Sequence, residues 1–97
     1  MAFVQIIDAH SKRFDELDSL VKEYLATSEG KRTVLRSFVG RDRKDPEHFF
    51  VVAFFDSYES AMQNSDLPET STLAEKQMAL LDGAPTFYDL DVVGEYE

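Results

Sequence analysis

Ninety-seven residues, 43% of them hydrophobic and 12% aromatic, suffice for one domain with a modest core and are too rich in Phe and Tyr for a disordered chain. A formal net charge of −9 repels phosphate backbones and anionic lipid, so neither nucleic acid nor a membrane is an expected partner. With no cysteine there are no disulfides, thiolate metal sites or Cys nucleophile, and no apolar run approaches the roughly 18 residues of a membrane span.

The chain enters strand-like sequence at once, without a signal-peptide pattern, so a soluble cytoplasmic protein with a single domain over 1–97 is expected. Phe3 to Ala9 is β-branched and aromatic, which predicts a first strand. Phe14, Leu17, Leu20, Val21, Tyr24 and Leu25 then recur at helical spacing, with Asp15, Glu16, Asp18, Lys22 and Glu23 on the opposite face. Ser11 suits the N-cap of this helix and Gly30 its end, and the early acids complement the helix dipole.

Thr33 to Val39 predicts a second strand and His48 to Phe55 a third, joined through the charged turn 40–47 as an antiparallel hairpin. Within that turn Arg41, Arg43 and Lys44 alternate with Asp42 and Asp45, a solvated pattern rather than a basic patch. Asp56-Ser57-Tyr58-Glu59 reads as a capping box opening a short helix over 58–64. A further helical segment over 69–81 turns Leu73, Met78 and Leu81 inward and stops at Gly83 and Pro85. Thr86 to Val93 predicts the last strand. The order β-α-β-β-α-β is the ferredoxin-like α+β arrangement, with a four-stranded antiparallel sheet.

Both crossovers place their helices on one sheet face. The other should then be polar, yet the third strand sets Phe49, Val51, Ala53 and Phe55 against Phe50, Val52 and Phe54. Fully burying each large apolar side chain contributes about 1.5–3 kcal/mol, so three or four left wet would forfeit an amount comparable to the stability of a small domain. A homodimer through the uncovered face resolves the conflict.

A chain of this order and length whose sheet pairs with its twin resembles the dimeric α/β-barrel superfamily, and within it the antibiotic-biosynthesis-monooxygenase-type domains. The local anchor is Phe54 to Ala61, FFDSYESA, an aromatic strand end leading into a helix start with Ala in the turn. Family members often carry a His about four residues later and a Trp before the helix; Asn64-Ser65 and Phe stand there in this chain. The stretch from Asn64 to Thr70 also resembles an uncharacterised branch of these domains.

The resemblance implies oxygenases that use neither metal nor flavin on electron-rich aromatic substrates. Such chemistry needs an apolar pocket for a planar ring and a group that accepts a phenolic proton. Haem binding and degradation is the third reading, and the absence of Trp counts against it.

Histidine is the side-chain type that ordinarily changes charge near neutrality, and His10 and His48 are the two in the chain. Each lies at a strand end, where solvation is the simplest role, and Asp8 shares a side with His10 and could orient its imidazole. No metal motif is present: two histidines without His-x-x-x-His spacing are a thin set. Asn64 lies where the resemblance places pocket-facing polar groups, although an Asn at a helix break also serves as a cap. Arg36 shares a side with Val34 and Phe38, where it could hold an anionic substrate oxygen or pair with Asp89 or Asp91. Tyr24 and Tyr88 could line a pocket or anchor the dimer. His10, Asn64 and Arg36 are thus the catalytic candidates; Asp8, Tyr24 and Tyr88 are the substrate-binding ones. The leading expectation is a cofactor-independent monooxygenase-like domain for a small aromatic or quinol-type compound. Its rival is a non-catalytic dimer that binds a small molecule or serves assembly.

Overall fold

A computed structural model describes residues 2–97 of the chain. The elements run β1 (Phe3–His10), α1 (Phe14–Thr27), β2 (Arg36–Arg41), β3 (His48–Phe55), α2 (Tyr58–Ser65), α3 (Pro68–Met78) and β4 (Thr86–Asp91). The sheet has the order β2-β3-β1-β4, with every neighbouring pair antiparallel. This is the expected ferredoxin-like α+β architecture.

The register assigns the two faces. Phe3, Ile7 and Ala9 of β1 stand opposite Phe55, Val51 and Phe49 of β3 on one face, and all but Ile7 belong to the clusters packed beneath the helices. At one end Phe3, Phe55 and Ala61 form a buried cluster, packed by Val34, Ala53 and Met62. At the other Ala9, Leu17 and Phe49 do the same, beneath Phe14, Val51, Leu80 and Leu81. Leu17 is buried where the 3.6-residue stripe of α1 meets this second cluster, which is why the stripe folds as a helix.

Several element ends differ from expectation. Ser11 does not cap α1; the helix starts at Phe14 behind Arg13, without a side-chain cap. Ser11 is instead a buried tie whose hydroxyl accepts from the Arg13 N–H and donates to the Leu80 carbonyl. The same helix stops at Thr27, ahead of Gly30: the Ser28 hydroxyl takes the Tyr24 carbonyl, and Gly30 serves the following turn at φ 79°.

β2 begins three residues later than the sequence pattern suggests, because Thr33 is held elsewhere. Its N–H donates to Asn64 and its hydroxyl to the Ser60 carbonyl, which fastens the 33–34 segment to α2. Val34 accordingly packs on the helix side rather than beside Phe38. At α2, Ser57 is the N-cap and accepts from the Ser60 N–H at 3.1 Å. Ser60, not Glu59, occupies the third helical position where a capping box returns its side chain. In α3, Pro68 fills the first turn and the helix ends at Met78. Met78 is half exposed rather than inward, while Leu81 packs on the core as expected.

Candidate functional site

The sheet face away from the helices carries Val4 and Ile6 of β1, Phe38 of β2, Phe50, Val52 and Phe54 of β3, and Tyr88 and Leu90 of β4. Phe38 is 53% exposed, Tyr88 46% and Leu90 45%. The face is therefore an apolar, aromatic-rich plane whose outer strands lie open. Phe87 and Val39, on the helix side of the same outer strands, are also exposed because the helices cover only the middle of the sheet.

One rim of this plane is polar. His10 and His48 are direct partners at the ends of β1 and β3, and their rings stack 4.3 Å apart with planes within 3°. The Asp8 carboxylate, one pleat back on β1, reaches His48 Nε2 at 2.6 Å, and Asp42 reaches His48 Nδ1 at 3.2 Å. Asp8 therefore orients His48, not the His10 two residues along its own strand. The Asp8 contact, and to a lesser degree Asp42, raises the His48 pKa above its ordinary value, although desolvation opposes the shift. The Asp42 carboxylate is lowered, first by the Lys44 N–H and then by His48. His10 is exposed and its side chain makes no hydrogen bond among the described residues.

Arg36 lies on this open face, with its guanidinium 4.5 Å from the centre of the Phe54 ring. It does not pair with Asp89 or Asp91. Those acids belong to β4, at the far edge of the sheet, and point to the other face. Arg36 and Tyr88 thus flank the apolar plane from opposite outer strands.

Asn64 and Tyr24 lie in the helical layer instead. Asn64 is 8% exposed: its Oδ1 accepts from the Thr33 N–H at 3.0 Å, and its Nδ2 donates to the Tyr24 hydroxyl at 3.1 Å. The Tyr24 hydroxyl also meets Thr70 Oγ1 at 3.0 Å. This network joins α1, α2, α3 and the connection into β2. Above it, an open groove of about 220 Å³ runs between α1 and α3, lined by Leu20, Tyr24, Thr27 and Leu73 among others. A wider depression of about 570 Å³ lies beside the start of α1 and the 46–47 turn.

No family model and no curated protein matches the chain. Solved structures do. At 12% identity the chain superposes with a TM-score of 0.82 on SnoaB, a cofactor-independent oxygenase from Streptomyces nogalater studied as an Asn-to-Ala mutant, covering 97% of this chain and 95% of that one. A conserved protein from Methanosarcina mazei Go1 gives 0.82 at 13% identity, over 93% and 91% of the two chains. An antibiotic biosynthesis monooxygenase gives 0.76 at 20% identity, over 97% and 100%.

The fold is that of the antibiotic-biosynthesis-monooxygenase-type proteins.

On this monooxygenase-type fold the sequence candidates separate into two groups. Asp8, His10, Arg36 and Tyr88 share the open face; Asn64 and Tyr24 share the interhelical network. Sequence reasoning left His48 and Asp42 outside the candidate set. Asp42 and His48 close the β2–β3 hairpin through the Asp42 N–H to the His48 carbonyl at 2.9 Å. Their symmetric placement about the turn is the one sequence signal that could have paired them.

Proposed function

We propose that residues 1–97 form one domain, that two copies pair through the open sheet face, and that the domain oxidises a small aromatic or quinol-type compound as a cofactor-independent, monooxygenase-like protein. The observation that carries this reading is the free imidazole of His10 at the rim of a plane lined by Phe38, Phe50, Phe54 and Tyr88. At its His10 rim, between the two paired sheets, the plane offers stacking surface to a flat ring, and His10 accepts the phenolic proton. The Asp8–His48–Asp42 chain holds the stacked partner ring in place. The electrons for oxygen come from the substrate: one oxygen atom enters the ring system, and the other leaves as water with the two hydrogens the substrate gives up.

Aerobic and anaerobic incubation of chelator-treated protein with a panel of phenols and quinols tests the reading. Oxygen-dependent consumption that falls in His10→Gln supports it; consumption at the protein-free rate sinks it. Pairing is tested separately by light scattering, where twice the chain mass of 11.1 kDa is expected.

A second reading, a non-catalytic dimer, draws on the filling of the space between sheet and helices. Phe14, Phe49, Leu80 and Leu81 occupy one end of that space; Phe3, Phe55 and Met62 occupy the other. If pairing holds and no phenol or quinol is consumed, this reading replaces the first.

A further inference from the structure

Asp8, His10 and His48 bring one carboxylate and two imidazoles to a single spot. One ligand atom from each lies within 4.8 Å of the others. The spot is built by the sheet: His10 and His48 are cross-strand partners, and Asp8 shares their face because side chains on a strand alternate. None of the three belongs to a sequence motif, since the histidines are far apart in the chain.

The donor types select a class of ion. Two imidazole nitrogens and one carboxylate oxygen suit zinc and its borderline neighbours, whereas calcium and magnesium prefer all-oxygen shells. The support expected behind a ligating histidine is also in place. His48 Nδ1 faces the Asp42 carboxylate at 3.2 Å, leaving Nε2 directed at Asp8 and the site. Asp42 is itself anchored by the Lys44 N–H at 2.8 Å. Such a carboxylate–imidazole–metal chain fixes the tautomer and sharpens the ligand. His10, exposed at the rim, is free to turn toward an ion, and the net charge of −9 favours cations in general.

We propose that Asp8, His10 and His48 bind a divalent transition-metal ion, zinc fitting best, with Asp42 holding His48 from behind and water completing the shell. Metal–ligand bonds of about 2.0–2.1 Å place tetrahedral donors about 3.3 Å apart. The His48 Nε2–Asp8 Oδ1 contact of 2.6 Å must therefore open slightly as the ion replaces the proton between them. The stacked rings must also turn out of parallel. Both are side-chain adjustments on a fixed pair of strands.

This inference goes beyond the proposed oxidation and does not need it. The two uses of His10 are exclusive, because a coordinated imidazole has no lone pair left for a phenolic proton. Bound zinc therefore acts as an inhibitor of that activity.

The test uses the full chain, stripped with chelator and titrated calorimetrically with zinc chloride. Cobalt(II), followed by its visible absorption, serves as a second probe. One ion per chain is expected, with intense d–d bands from a low-coordinate cobalt site. His10→Gln and His48→Gln should each weaken zinc binding at least about tenfold, and Asp42→Asn by about tenfold with the three ligands intact. His10 is exposed, so its variant folds and keeps the test decisive even if a His48 variant does not. No saturable zinc uptake below millimolar concentration overturns the proposal. So does uptake unchanged in His10→Gln, which would place the ion among scattered acidic side chains. Either failure leaves the phenol assay, run without metal, to stand or fall alone.

Discussion

His48 Nε2 lies 2.6 Å from Asp8 Oδ1, so an imidazole at the start of β3 is held by a carboxylate near the end of β1. The contact ties together two strands whose sequences give no hint of pairing at these positions. It also makes stability depend on pH.

In metal-free protein the His48 pKa is raised above its ordinary 6.5, chiefly by Asp8. Its contribution is therefore fully present below about pH 6.5 and is lost as pH rises through the raised folded value. Asp42 is lowered from 3.8, so its contribution is present above that value and is lost as acid takes the pH through its folded value. Urea midpoints between about pH 6 and about pH 8.5 should decline more steeply in the native chain than in His48→Gln. Parallel profiles for the two proteins would remove the Asp8–His48 pair from the stability account.

Val51 and Val52 are neighbours on opposite faces of β3. Val51 packs on the Ala9–Leu17–Phe49 cluster, so Val51→Asp buries an unpaired charge and should cost about 3 kcal/mol or more, read as loss of the cooperative melt. Val52 stands between Ile6 and Phe38 on the open face. Val52→Asp should keep the far-ultraviolet circular dichroism of the fold while light scattering falls toward 11.1 kDa. A native chain that already scatters at that mass would refute pairing.

The Asn64 amide is the hub of the interhelical network. Asn64→Ala orphans the Thr33 N–H and one partner of Tyr24, and should lower unfolding stability by about 1–3 kcal/mol. Tyr24→Phe leaves the Thr33 bond intact and should cost about 0.5–1.5 kcal/mol. If Asn64→Ala instead leaves stability unchanged, the residue is held for something other than structure.

Ser57 caps α2 through the Ser60 N–H. Ser57→Ala should cost about 1 kcal/mol, and Ser57→Asp should recover most of it. Thermal melts of the three proteins check the order.

Element type and order were readable without coordinates because periodicity carries them. The alternation of two apolar faces in HFFVVAFF fixed β3 at His48–Phe55 to the residue, and the helical stripe through Leu17 and Tyr24 located α1. Ends were less legible. Ser11, Thr33 and Ser28 make tertiary or turn hydrogen bonds that local propensity does not register, and those bonds moved the boundaries of α1 and β2. Arg36 shows the same limit: facing acids on β4 invite pairing in sequence, but strand order puts the two edges apart.

By itself, then, the sequence determined that this chain makes a βαββαβ domain with a sheet apolar on both sides, because burial demands repeat along each strand and each helix. Only the tertiary structure decided which polar residues meet. His10 and His48 become partners through strand register, Asp42 joins them through a hairpin turn, and Asn64 is drawn away into the helices by the Thr33 N–H. Register and strand order are set by the packing of the whole sheet, so contacts between residues distant in the chain cannot be read from any one segment.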